Sequence, residues 1–177
     1  QCMDGNHYQL ELLAEIEKRD GFLPVRVLIP FHLKNFMPLS ILDKAAMMAE
    51  TYRSEFLKSG MVKMFYDGVL DSWTAIMVEP YANKPESTGG QSLFTPEEMK
   101  AAAIEIDRRG LQIAVHAIGD GAVRAVLDGY EAARAANGAR DSRHRIEHIE
   151  VVHPSDIHRF RQLGVIASMQ PPHPPGA

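Results

Sequence analysis

The chain has 177 residues, 45% of them hydrophobic and 24% charged, with a formal net charge of -4. That balance is ordinary for a globular protein and offers neither the basic footprint of a nucleic-acid binder nor a polybasic patch for an anionic membrane. A single cysteine, Cys2, excludes an intrachain disulfide framework and fits a reducing, cytoplasmic setting.

Taken in order, the first helix is expected over His7 to about Arg19, with Leu10, Leu13 and Ile16 on one face and Asp20-Gly21 as its stop. A β-branched run around VRVLIPF predicts a strand between Phe22 and Leu33, interrupted by Pro30. Ser40 reads as an N-cap for a second helix that carries Met47, Met48, Tyr52 and Phe56 and ends at Gly60. Met61 to Tyr66 is the next strand, and Asp67-Gly68 the turn that closes it. From Val69 to Phe94, prolines and the Gly89-Gly90 pair break any long element, so this is a loop of the length usually reserved for function.

Thr95-Pro96-Glu97-Glu98 combines a capping box with proline at the first helical position and opens a helix lasting to Gly110, with Met99, Ala102, Ala103 and Ile106 inward. The strand LQIAVHAIGD follows, then a helix from Gly121 to Ala136 with Val123, Val126, Leu127 and Tyr130 on its buried face. His144 to Val152 predicts a fourth strand, and Pro154 a short helix with Ile157, Phe160 and Leu163 inward. Val165 to Gln170 predicts a fifth strand. Helix and strand alternate without a hairpin signal, which argues for βαβ units and a parallel sheet. About five strands make either an open doubly wound sheet or roughly half of an eight-stranded barrel.

Strand alternation places Gln112, Ala114 and His116 on one face, His144, Ile146 and His148 on one face, and Met61, Lys63 and Phe65 on another. If those faces line a barrel, Lys63, His116 and His148 look into its lumen at the edge where parallel α/β proteins collect ligands. Neutral imidazoles suit a divalent transition metal, and a lysine inside an apolar strand needs a partner or a chemical use. The GDG turn at Gly119 to Gly121 offers backbone N–H groups to an anion, an idea that the carboxylate of Asp120 opposes.

Four ordered stretches, VKMFYDG (Val62 to Gly68), AVHAIGDGAV (Ala114 to Val123), HRIEH (His144 to His148) and ASMQPPHP (Ala167 to Pro174), resemble the YtcJ-like amidohydrolases. This is the family-3 branch of the amidohydrolase superfamily, which includes N-substituted formamide deformylase. The resemblance implies an α/β fold, a partial (β/α)8 TIM barrel of the metal-dependent hydrolase type, in which residues 1–177 run as one incomplete barrel domain from about the end of strand two through strand seven. It implies that His116 and His148 bind metal and that Lys63 is the strand-four lysine that carboxylation can turn into a bridging ligand. Asp67, Gln170 and His173 are then expected to face substrate. The cofactor implied is a divalent metal, zinc by preference, with one or two ions in the complete enzyme. The partners implied are a small-molecule amide-like substrate and a second copy of the chain, with no nucleic acid and no membrane. The superfamily's first-strand His-x-His pair and eighth-strand aspartate have no counterpart in this sequence, so no catalytic residue is assigned and the chain alone is expected to be inactive. The competing expectation is a non-catalytic half barrel that self-associates through exposed sheet edges.

Overall fold

The computed structural model describes residues 2–3 and 7–170, so His173 lies outside the described residues. The chain divides into two compact units, Gln1–Lys63 and Met64–Ala177.

The first unit opens with α1 (His7–Asp20), followed by two short strands, β1 (Val27–Leu28) and β2 (Phe31–His32). The single strand expected here is split because Pro30 carries no N–H to continue a ladder. A 3-10 turn (Leu39–Ile41) leads into α2 (Leu42–Thr51). Ser40 therefore lies inside the 3-10 turn, and Ile41 occupies the N-cap position without a side-chain bond. The helix also stops earlier than its apolar spacing suggests. Tyr52 leaves the helical region at φ -107° and ψ 87°. The chain then forms β3 (Leu57–Lys58), which pairs in parallel with β1. Leu10, Leu23, Ile29, Met48 and Leu57 form the buried core of this unit, with Leu13 and Ile16 of α1 packed against it.

The strand β4 (Met61–Phe65) is common to both units. Its amino half pairs with β2 in parallel, Phe31 with Val62 and His32 with Lys63. Its carboxyl half starts the second unit, where β5 (Gln112–Ala117), β6 (Arg145–His148) and β7 (Ile166–Ser168) follow in the order β4-β5-β6-β7. The pairs β5–β6 and β6–β7 are parallel. Between them run α3 (Pro96–Arg108), α4 (Asp120–Asn137), a 3-10 turn (Pro154–Asp156) and α5 (Ile157–Leu163).

The capping box that opens α3 is complete: Thr95 Oγ1 accepts from the Glu98 N–H at 3.1 Å, and Glu98 accepts from the Thr95 N–H at 2.8 Å. Two otherwise orphaned donors are satisfied, a stabilisation of about 1 kcal/mol. The core of the unit forms where Met99, Ala102, Ala103 and Ile106 of α3 and Val123, Val126, Leu127 and Tyr130 of α4 are buried over Ile113 and Val115 of β5. In α5 the expected inward face is only partly realised, because Ile157 is exposed while Phe160 and Leu163 are half-buried. The helix is held largely by charge. Arg124 of α4 donates to Asp156 at 2.8 Å, and Arg159 reaches Asp128, Glu131 and Asp156.

Candidate active site

The carboxyl ends of β4, β5 and β6 bring together the loop at residues 67–94, the GDG turn and two histidines. Asp67 organises this edge. Its buried carboxylate accepts from Ile118 N–H at 3.0 Å, Gly119 N–H at 2.9 Å and Ile76 N–H at 3.0 Å. Burial pushes this carboxyl above its ordinary value, and the backbone donors only partly offset that effect. Asp120 repeats the device from the first turn of α4 by accepting from Val78 N–H at 2.8 Å. The loop is thereby fastened to the end of β5 at residues 76 and 78. The approach is close enough that a Cβ on Gly119 would lie 2.1 Å from the Ile76 carbonyl oxygen, so the position admits only glycine. These contacts also remove the anion-binding reading of the GDG turn: Gly119 N–H is spent on Asp67, and Asp120 binds the loop.

His116 is the penultimate residue of β5, 8% exposed, and its ring lies 5.1 Å from Phe65 and 4.6 Å from His148, edge-on to the latter at 65°. The Nε2 of His116 sits 2.9 Å from the Gly68 carbonyl oxygen and 3.6 Å from Asp67. A carbonyl only accepts, so in this contact Nε2 carries the proton. The Gly68 carbonyl thus acts on the ring as the outer partner of a ligating histidine does.

His148 reaches His116 by a different route from the one strand alternation suggests. The β5–β6 register pairs His116 with Glu147 and Ala117 with His148. Residues paired across a parallel ladder share a face, so Arg145 and Glu147 lie on the His116 face, while His144 and Ile146 lie on the other. The His144 ring, accordingly, packs 5.0 Å from Tyr130 of α4. His148 escapes that pattern because its backbone is left-handed, φ 80°, as is that of Ile149 at φ 54°. Non-glycine residues there cost on the order of 1–3 kcal/mol each and are held only when the surroundings demand it. The strain carries the second imidazole round the strand end to the first.

The pair Arg145 and Glu147 had no sequence signal beyond their spacing. Glu147 is 3% exposed and takes two hydrogen bonds from Arg145, at 2.7 and 3.0 Å, while Arg145 also donates to Ser168 of β7 at 2.7 Å. An i, i+2 spacing of opposite charges on a strand places both on one face, the cue that would have found them.

The remaining expected residues are placed as follows. Lys63 belongs to the first unit, where it is 2% exposed in β4 and paired in register with His32. Gln170 follows β7, half-buried, and its side-chain amide donates to the Ser168 carbonyl at 3.3 Å. Imidazole nitrogens are suitable donors for a divalent metal, and His116 and His148 stand side by side at this edge. Among the described residues, no group of three or more His, Cys, Asp or Glu side chains is gathered to hold an ion. Beside the two histidines opens a cleft of about 720 Å³, walled by Val69, Leu70, Trp73, Tyr81 and Ile118, with Asp71 and Glu150 among its polar groups.

Residues 2–177 match the family model described as Amidohydrolase family. The chain is similar to the protein LONG AFTER FAR-RED 3 of Arabidopsis thaliana, 45% identical over 120 residues, which are 68% of this chain and 20% of that protein. It is similar also to the putative amidohydrolase YtcJ of Bacillus subtilis, 32% identical over 69% of this chain and 22% of that protein. N-substituted formamide deformylase of Arthrobacter pascens is 26% identical over 63% of this chain and 20% of that protein. Among solved structures, an uncharacterized metal-dependent hydrolase from Pyrococcus furiosus superposes with a TM-score of 0.71 at 32% identity, over 92% of this chain and 32% of that one. The chain thus spans about a fifth of the length of these curated relatives.

Proposed function

Because the chain belongs to the amidohydrolase family, we propose that it supplies part of the catalytic barrel of a metal-dependent hydrolase that cleaves an amide-like C–N bond in a small molecule. The observation that carries this reading is the strained strand end that sets His148 against His116. The parallel strands read, in this proposal, as the stretch of a (β/α)8 barrel from about the end of strand two through strand seven, with residues 1–177 as one incomplete domain.

His116 and His148 would hold a divalent ion, with zinc the ion to test first. When bound, such an ion supplies Lewis acidity toward the substrate carbonyl and makes water nucleophilic at neutral pH. This chain's own residues hold the geometry. Gly68 fixes the tautomer of His116, Asp67 and Asp120 hold the loop that walls the cleft, and the loop limits access of bulk water. Asp67 acts in this reading as a positioning residue, since its carboxylate is engaged by backbone amides. Lys63 is proposed separately as a carboxylation site, tested by the mass of the peptide that contains it.

The test uses the full-length gene product. It is expected to retain a divalent ion through purification, to lose hydrolysis of N-acyl amines on chelation and to regain it when zinc is returned. The single substitutions His116→Ala and His148→Ala are each expected to weaken metal affinity at least about tenfold. Activity indifferent to chelation would overturn the reading.

One observation favours the second reading for this chain alone. Among the described residues β7 is the edge strand of its sheet, with Ile166 41% exposed and Met169 beyond it 56% exposed, and an edge of this kind templates association. Light scattering is expected to find a dimer or larger species; a monomer at all concentrations would dismiss it. Among the described residues, no helix is long and apolar enough to cross a membrane.

A further inference from the structure

Trp73 walls the cleft without being buried in a core. The residue is 38% exposed, and its backbone stands at φ 53°, an outlying conformation for a bulky side chain. The turn beneath it is tightly closed. Trp73 N–H donates to the Leu70 carbonyl at 2.9 Å, Thr74 N–H donates to the Val69 carbonyl at 3.1 Å, and Thr74 Oγ1 accepts from Val69 N–H at 3.0 Å. That turn fixes where the indole leaves the chain, and the side-chain torsions of the ring are left for its neighbours to set.

Both polar neighbours of the ring come from the tip of the next turn. Asn83 Oδ1 accepts from the indole Nε1–H at 3.2 Å, and the Lys84 ammonium lies over the ring, 4.9 Å from its centroid. The tip is itself fixed: Lys84 N–H donates to the Tyr81 carbonyl at 3.1 Å, Ser87 N–H donates to the Lys84 carbonyl at 3.0 Å, and the Tyr81 hydroxyl donates to the Ala75 carbonyl at 2.7 Å. A hydrogen bond or a cation over a ring at a partly exposed site shifts a rotamer equilibrium by about two- to tenfold, so together the two contacts decide where the indole stands.

We infer that Asn83 and Lys84 are positioning residues for Trp73, and that the indole is a movable wall of the cleft, held in place by this turn and not by the core. Its bearing on turnover rests on the reading of His116 and His148 as the reacting edge; the contacts that hold the ring do not involve that edge. A wall kept by two side-chain contacts can yield to a substrate substituent and return, which changes what the cleft admits while the strand ends stay still.

The test is fluorine NMR on full-length protein labelled with 5-fluorotryptophan, in which the Trp73 resonance is the one that Trp73→Phe removes. The pair Asn83→Ala with Lys84→Met is expected to move that resonance toward its position in the urea-unfolded protein, while the urea midpoint stays where it was. The pair Asn83→Asp with Lys84→Arg is expected to return it to the parent position, because a carboxylate oxygen still accepts from the indole N–H and a guanidinium still stacks on the ring. A resonance unmoved by the first pair, a midpoint that falls along with the shift, or a second pair that fails to restore the parent position would each overturn the proposal. With an N-acyl amine that the protein hydrolyses, the first pair is expected to change KM by at least about threefold and kcat by less than about twofold. An unchanged KM would overturn the indole's part as a wall. The fluorine measurement needs neither turnover nor metal. A shifted and restorable resonance in a protein that hydrolyses no N-acyl amine would overturn the hydrolase reading alone, and an unmoved resonance in an active protein would overturn this one alone.

Discussion

Replacing Asp67 with alanine is expected to destabilise the second unit by roughly 3–5 kcal/mol, because two buried N–H groups and one half-buried one lose a charged acceptor at once. Water can reach these amides only after the loop lifts, so the loss should appear twice. The urea midpoint should fall, and the amides of Ile76, Ile118 and Gly119 should lose hydrogen-exchange protection well below the global unfolding free energy. The conservative change Asp67→Asn should recover little of this, since half of the amide side chain is itself a donor and faces N–H groups. Protection retained at Ile118 and Gly119 in the alanine variant would sink the positioning role. The same substitution should unfasten His116, whose Nε2 binds the carbonyl of the next residue in the turn, Gly68.

Acidification should unfold the second unit through a group at the opposite end of the strands. His144, 5% exposed, accepts from the Ile113 N–H through Nδ1 at 3.1 Å and donates from Nε2 to Asp107 at 3.1 Å. Both ring nitrogens are used in the neutral form, and protonating Nδ1 would turn N–H against N–H. Burial is the main cause that lowers its pKa, from 6.5 to about 4; Arg140 contributes in the same direction, against the pull of Asp107. Between those values the unfolded chain binds a proton that the folded chain refuses. The stabilisation is therefore complete above about pH 6.5 and is lost as pH falls toward 4, an effect of about 3 kcal/mol. The groups that face His144 act in the same sense. Although burial raises the Asp107 carboxyl, hydrogen bonds from Asn137 and Arg140 and the nearby positive charges outweigh it and hold the carboxyl low, so its contribution is lost at still lower pH. Tyr130, which packs on the His144 ring, stays neutral throughout because burial raises its phenol well above the ordinary value. Urea midpoints measured from pH 7 to pH 4 should fall steeply for the parent chain and less steeply for His144→Gln, whose amide can accept and donate in the same places without titrating. Parallel slopes for the two proteins would refute the assignment.

How much of this was legible in the sequence depended on how local the cause was. The capping box of α3, the buried faces of α3 and α4, and the strand that delivers His116 rest on spacings within one element, and each is found where those spacings put it. Ser40 looked like a cap because capping residues are recognised by type, but the 3-10 turn ahead of α2 took it in. The strand β3 is two residues long and exists because β1 lies beside it, which no local pattern announces. The face of His148 was misread for a similar reason: alternation holds only while the backbone stays extended, and the left-handed residues at the end of β6 are a tertiary demand. Asp67 was expected to face substrate, and its turn position gave no hint that distant amides at residues 76, 118 and 119 converge on it.

The loop between the two fastening points and the start of α3 has a further property. Met77 N–H donates to the Thr88 carbonyl at 2.7 Å, and Tyr81, Lys84 and Ser87 close a small turn among themselves. Residues 79–87 thus form a turn whose backbone closes on itself, while Tyr81, Asn83 and Lys84 reach back to Ala75 and Trp73 at the start of the loop. Because the anchors at Ile76 and Val78 lie before it, its length and side chains can change at small entropic cost without disturbing the histidines. A surface turn hung from fixed anchors in this way can vary in length and side chains while the strand ends beneath it stay in place.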